Sequence, residues 1–182
     1  MPPMNPRVDE LLDYLDRSAA TLDAAIATVP AAQHDQRPAE DRWSVREVVE
    51  HLALVEAGIT KSYRRWLDAA RAEGIPAEDQ TSPLLAQMRM DRVVDRSRRI
   101  EAPPFAVPTH GLTLDDALAR LERSRAELAA LARSADGLAL GVITHPHPAL
   151  GPLTMYEWLA FTAAHMERHA AQIAEIRAAL RA

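Results

Sequence analysis

The chain has no cysteine. That absence removes disulfides, thiolate metal sites, iron–sulfur clusters and any cysteine nucleophile. Chemistry that needs sulfur must import it. Glycine is scarce at 6 of 182 residues, and alternating β-branched runs are few, so little material favours a sheet. Positive charge is not in excess: 21 Lys and Arg stand against 26 Asp and Glu, for a net charge of −5 and a pI near 5.8. A polyanion would meet no basic field, which argues against nucleic acid as a partner. No apolar run approaches the roughly 18 to 20 residues that cross a bilayer. The opening Met1-Pro2-Pro3-Met4-Asn5-Pro6 also lacks the basic and apolar regions of a secretory signal. The expectation is a cytoplasmic protein with no membrane contact.

What is present is 48% hydrophobic and 26% charged, the balance of a globular domain. At 182 residues the chain can bury one good core, so 1–182 reads as a single domain. Four stretches carry the three- and four-residue apolar steps of amphipathic helices. The first runs Val8, Leu11, Leu12, Leu15, Leu22, Ile26 and Val29, with Asn5 as cap, Pro6 in the first turn and Pro30 closing it. A second opens at Ser44, boxed by Glu47, and runs through Val48, Leu52, Val55, Ile59, Tyr63 and Trp66 toward Gly74 and Pro76. The third starts at Thr113 with Asp116 in the box position and ends before Gly137. The fourth starts at Thr154, boxed by Glu157, and its stripe is Met155, Leu159, Thr162, Met166, His169, Ile173, Ile176 and Leu180. Between the second and third, Pro83 through Arg99 suggests a shorter helix, followed by an extended crossing at Pro103-Pro104 and Pro108. The segment His145-Pro146-His147-Pro148 reads as loop. The architecture expected is an all-α four-helix bundle with a long connection between helices two and three.

Three histidines fall on these helices, all toward the apolar side. His165 and His169 are four residues apart and so share a helix face, where two imidazoles can reach one metal ion. Such a pair also arises by chance, and His51, which borders the second stripe, on its own reads as a hydrogen-bonded core histidine. Burial changes the weighing. Three imidazoles in one bundle core would each need partners for their ring nitrogens, and a shared cation satisfies three nitrogens at once.

The segment Arg42-Trp43-Ser44-Val45-Arg46-Glu47-Val48-Val49-Glu50-His51-Leu52 resembles the first signature of the DinB/YfiT-like family. A second signature is similar across His147-Pro148, Leu150-Gly151-Pro152-Leu153-Thr154, Glu157-Trp158, His165-Met166-Glu167-Arg168-His169 and Gln172-Ile173. The resemblance implies a bundle with up-down-down-up connectivity, often a homodimer. It also implies one divalent metal, commonly nickel or zinc, held by His51, His165 and His169. Three histidines would leave one coordination position open, unlike structural zinc sites, which close with four protein ligands. Family members include transferases that use low-molecular-weight thiols, a thiol-dependent isomerase and many proteins with no assigned reaction. The functional expectation is therefore a metal-dependent enzyme acting on a small molecule, a thiol transferase first and a hydrolase second. The alternative is a non-catalytic metal-binding bundle with an interaction or stress role. No particular residue stands out as a catalytic group beyond the metal set.

Four other features bear on the site. Arg89, Arg92, Arg96 and Arg99, with Arg98 beside them, are spaced as a helical face that either grips an anion or is simply solvated. His145 and His147, on their loop, are left outside the ligand set. Trp43, Trp66 and Trp158 read as core or staple residues. Glu47 and Gln172 could each orient a ligand histidine from one turn away, although the capping box already accounts for Glu47.

Overall fold

A computed structural model describes residues 3–97, 100–109 and 111–181. Helix α1 (Pro6–Ala27) starts where the Asn5 side chain accepts the Arg7 N–H, with Pro6 in the first turn, where no N–H is needed. Helices α2 (Val45–Ala72) and α5 (Met155–Ala179) begin at complete capping boxes. In the first, Ser44 Oγ accepts the Glu47 N–H at 3.3 Å and Glu47 Oε2 accepts the Ser44 N–H at 2.8 Å. Helix α4 (Leu114–Ser134) has half a box. Thr113 Oγ1 accepts the Asp116 N–H, but the shorter Asp116 carboxylate takes the Thr113 hydroxyl at 2.8 Å instead of the cap N–H.

The stretch 83–99 departs from expectation. Among its described residues only Asp91–Val94 is α-helical, here called α3, with a single 3-10 turn before it at Leu85–Gln87. Arg168, on α5, donates to the carbonyls of Val93 and Asp95, so these oxygens turn to a tertiary partner just where the helix would continue. Arg98 and Arg99 lie outside the described residues.

Polar pairs along the helices give their directions. Thr60 donates to Ser124 O, Arg64 pairs with Glu127 and Arg71 donates to Ser134 O, so α2 and α4 run parallel. Tyr14 and Ser18 both donate to Glu167, while Tyr156 and Arg7 share Glu78, so α1 and α5 also run parallel. Contacts of His51 with His165 and His169, and of Trp66 with Trp158, make α2 and α5 antiparallel. The connectivity is up-down-down-up. Because α4 must start again at the end where α2 started, the connection has to return along a 28-residue helix, roughly 40 Å. Its length follows from that geometry.

The core is built from Leu11, Leu15 and Leu22 of α1, Leu52, Tyr63 and Leu67 of α2, Leu121 and Leu128 of α4, and Met155, Leu159, Met166 and Ile173 of α5, all fully or almost fully buried. Helix α5 is enclosed on several faces, with Ala160, Ala163, Ala164 and Ala170 buried beside its main stripe. Among the described residues no helix is long and apolar enough to cross a membrane.

The segment read as loop is a small hairpin, β1 (Thr144–His147) and β2 (Gly151–Thr154), paired antiparallel. Pro146 faces Pro152 across the ladder, so the pair that can donate no hydrogen bond is a single rung and its neighbours carry the bonding. Gly151, the first residue of β2, has φ +81°, in the left-handed region that favours glycine. His147 Nδ1 accepts the N–H groups of Ala149 and Leu150 at 3.1 and 3.2 Å and holds the turn from inside.

Candidate metal centre

The antiparallel crossing of α2 and α5 brings the second turn of α2 against the middle of α5. His51 arrives from one helix, His165 and His169 from the other. Their ring centroids lie 4.5 to 5.3 Å apart, and one nitrogen from each falls within 4.8 Å of the others. His51 and His169 are buried and His165 is half-buried, making it the member nearest solvent. Among the described residues no carboxylate and no fourth histidine joins the cluster.

The second ring nitrogens fix the tautomers of His51 and His169. His51 Nδ1 lies 2.7 Å from the Ala106 carbonyl, which can only accept, so Nδ1 carries the proton and Nε2 presents its lone pair. His169 Nδ1 lies 2.8 Å from Gln172 Oε1, with the same consequence. His169 Nε2 then faces His165 Nε2 at 3.1 Å. Two lone pairs at that separation repel unless a proton or a cation lies between them. Zn–N bonds of 2.0 to 2.1 Å in a tetrahedral site place neighbouring nitrogens about 3.3 Å apart. The residues present fit a divalent ion.

Burial lowers the pKa of all three imidazoles. For His51 desolvation outweighs the Ala106 bond, and His165 and His169 fall well below their usual range through desolvation and mutual repulsion. The neutral, metal-binding form is therefore the resting form. Trp43 packs its ring 5.0 Å from His51, and Phe161 stacks on His165 at 5.3 Å, so aromatic walls close two sides. A groove of about 310 Å³ adjoins the centre between Trp43 and Gln172, with Arg42, Arg96 and Glu175 on its walls.

Gln172 takes the orienting role that its spacing suggested. Glu47 does not. Its carboxylate is committed to Ser44 and Arg37, and although burial pulls its pKa up, these donors bring it down to about 2. Arg89, Arg92 and Arg96 do not share a helix, so they form no helical face, and Arg98 and Arg99 lie outside the described residues. Arg89 is exposed and paired with Asp91, while Arg96 makes a two-pronged bond to Glu175 of α5 at 2.7 and 2.6 Å. His145 stacks on Trp66, apart from the cluster, and His110 lies outside the described residues. Sequence reasoning missed Ala106, whose carbonyl fixes the His51 tautomer from 55 residues away.

Comparison with known proteins agrees with this architecture. The uncharacterized protein YuaE of Bacillus subtilis (strain 168) is 26% identical over 144 residues, covering 79% of this chain and 82% of YuaE. The crystal structure of TT2238, a four-helix bundle protein, aligns with a TM-score of 0.62 at 24% identity over 92% of this chain and 98% of that one. YfiT from Bacillus subtilis, described as a probable metal-dependent hydrolase with an unusual four-helix bundle topology, aligns with a TM-score of 0.58 at 22% identity, over 96% and 87% of the two chains. A profile of the DinB superfamily matches residues 14–173, and with that match over most of its length the chain belongs to the DinB superfamily.

Proposed function

We propose that the chain is a metal-dependent enzyme in which Nε2 of His51, His165 and His169 holds one divalent ion, nickel or zinc, and that it transfers a group from a small electrophile to a low-molecular-weight thiol. The observation that carries this reading is the donor set itself: one ring nitrogen from each of three histidines within 4.8 Å of the others, two of them held as lone-pair donors by Ala106 and Gln172, and no further chain ligand among the described residues. Bound there, a divalent ion would keep its full charge and lower the pKa of a water or thiol brought to it. The chain's own part is to bind and orient. Ala106 and Gln172 hold two of the imidazoles against rotation, Trp43 and Phe161 wall the site, and the adjoining groove offers the Arg42 guanidinium to an anionic end of the substrate. The thiol must be diffusible, because the chain has none.

Hydrolysis is the second reading, supported by the description of YfiT. The two are separated by product formation from an electrophilic test substrate, with and without added thiol, in the metal-loaded wild type and His169→Ala. Thiol-dependent turnover lost in the variant is the expected result. Thiol-independent turnover assigns hydrolysis, and equal rates in both proteins would leave the centre without a catalytic role, as in a binding or stress protein.

The same reading includes a homodimer packed along helix faces. Half-buried Leu54 lines a groove between α2 and α4 together with Ala57, Arg120 and Arg123. Light scattering is expected to give twice 20.1 kDa, and a 20.1 kDa particle across micromolar concentrations would overturn it.

A further inference from the structure

The strap formed by residues 100–109 crosses α2 beside His51, with Ala106 and Pro108 buried and its larger side chains turned outward. Phe105 is 69% exposed and Val107 43%, while the methyl group of Ala106 is fully buried. Two polar clips add to that anchorage. One is the Ala106 carbonyl on His51 Nδ1. The other is Glu50, whose Oε1 accepts both the Thr109 N–H at 3.0 Å and the Thr109 hydroxyl at 3.1 Å. Glu50 is 1% exposed, and its second oxygen accepts from Arg46 at 3.4 Å. Arg46 also reaches Leu112 O, just beyond the strap. A carboxylate this deeply buried is costly unless it is fully bonded, and bonds from N–H and O–H donors to a carboxylate are the stronger, charge-assisted kind.

We propose that Glu50 is a positioning residue for the metal centre: by clipping Thr109 it holds the Ala106 carbonyl where it fixes the orientation and tautomer of His51. Glu50 never touches the centre. It acts through three residues of strap, setting which nitrogen of its neighbour in sequence faces the other histidines. Without the clip, the strap loses its polar tether three residues after Ala106 and is held there by Pro108 alone, so the Ala106 carbonyl is less firmly placed and the His51 ring can exchange its proton between Nδ1 and Nε2. Partners of this outer kind typically alter metal affinity by about ten- to a hundredfold.

This inference rests on the proposed metal site, and its test has a readout that does not. The His51 tautomer is read from imidazole 15N shifts in the metal-free protein, and zinc affinity from competition with a chromophoric chelator. Wild type is expected to show His51 protonated at Nδ1. Glu50→Ala should keep its helical circular dichroism, give a mixture of His51 tautomers and bind zinc about tenfold more weakly. Glu50→Gln, which can still accept from Thr109, should restore the single tautomer and most of the affinity. A folded Glu50→Ala with the wild-type tautomer and wild-type affinity would overturn the proposal. If Glu50→Ala does not fold, Thr109→Val decides: losing the hydroxyl clip should produce the same tautomer shift to a smaller degree, and no shift overturns the proposal. A wild-type protein that binds no zinc overturns the metal reading, while the tautomer measurement still judges Glu50.

Discussion

Alanine at His51, His165 or His169 is expected to strip the chain of divalent metal, weakening zinc binding by more than about a hundredfold in each case. That bound follows because losing an outer partner alone costs about ten- to a hundredfold, and losing a ligand atom costs more. Gln172→Ala supplies the comparison, since it removes only the acceptor on His169 Nδ1 and should fall within that smaller range. His34→Ala is the control. His34 bonds the Val29 carbonyl at 2.9 Å and lies outside the cluster, so metal binding should be untouched. Elemental analysis and chelator competition on folded variants provide the measurement. Full metal content in all three ligand variants would show that the ion is held elsewhere.

The metal-free protein is expected to lose stability steeply as pH falls below about 6.5. The pKa values of His51, His165 and His169 are depressed in the fold, mainly by desolvation, so the unfolded chain takes up protons that the folded chain refuses. Their contribution is present above the unfolded pKa near 6.5 and is lost as pH drops through and below it. Each histidine is worth at most about 1.4 kcal/mol per pH unit in that window. Glu56 has the opposite sign. Its carboxyl is 2% exposed with Oε1 unbonded, and burial, only partly offset by Arg125, raises it from 4.5 to about 7. Stability tied to Glu56 is present below pH 4.5 and lost as pH rises through about 7. Between pH 6.5 and 4.5 the histidines outnumber it, and the net fall is about 3 kcal/mol per pH unit at most. Glu56→Gln removes the opposing contribution, so that variant should be more stable than wild type at pH 8 and fall more steeply below 6.5. Urea titrations at pH 8, 6.5 and 5.5 on both metal-free proteins test this. A flat wild-type profile from pH 7 to 5 would mean the imidazoles are not desolvated.

The long helices were legible because apolar period and end chemistry agreed at the same positions. Ser44 with Glu47 and Thr154 with Glu157 marked two starts, and every stripe position of α5 from Met155 to Ile176 is buried. The pair His165 and His169 was legible for the same reason, and so was Gln172, one turn on. The stretch 83–99 was misread because regular arginine spacing mimics a helical face. In the folded chain Arg96 turns to Glu175, and Arg168 claims the carbonyls of Val93 and Asp95. The hairpin was hidden by proline, which disguises a strand unless two prolines can be seen to face each other, as Pro146 and Pro152 do. Nothing local announces that Ala106 will meet His51, since a backbone oxygen has no sequence signature.

X-ray absorption at the metal edge of the zinc-loaded protein, before and after adding a thiol, tests the central claim most directly. The expected spectrum has three imidazole nitrogens at 2.0 to 2.1 Å and one light atom that yields to sulfur at about 2.3 Å when thiol is present. A shell already closed by four ligands from the chain and unchanged by thiol would contradict an open three-histidine centre.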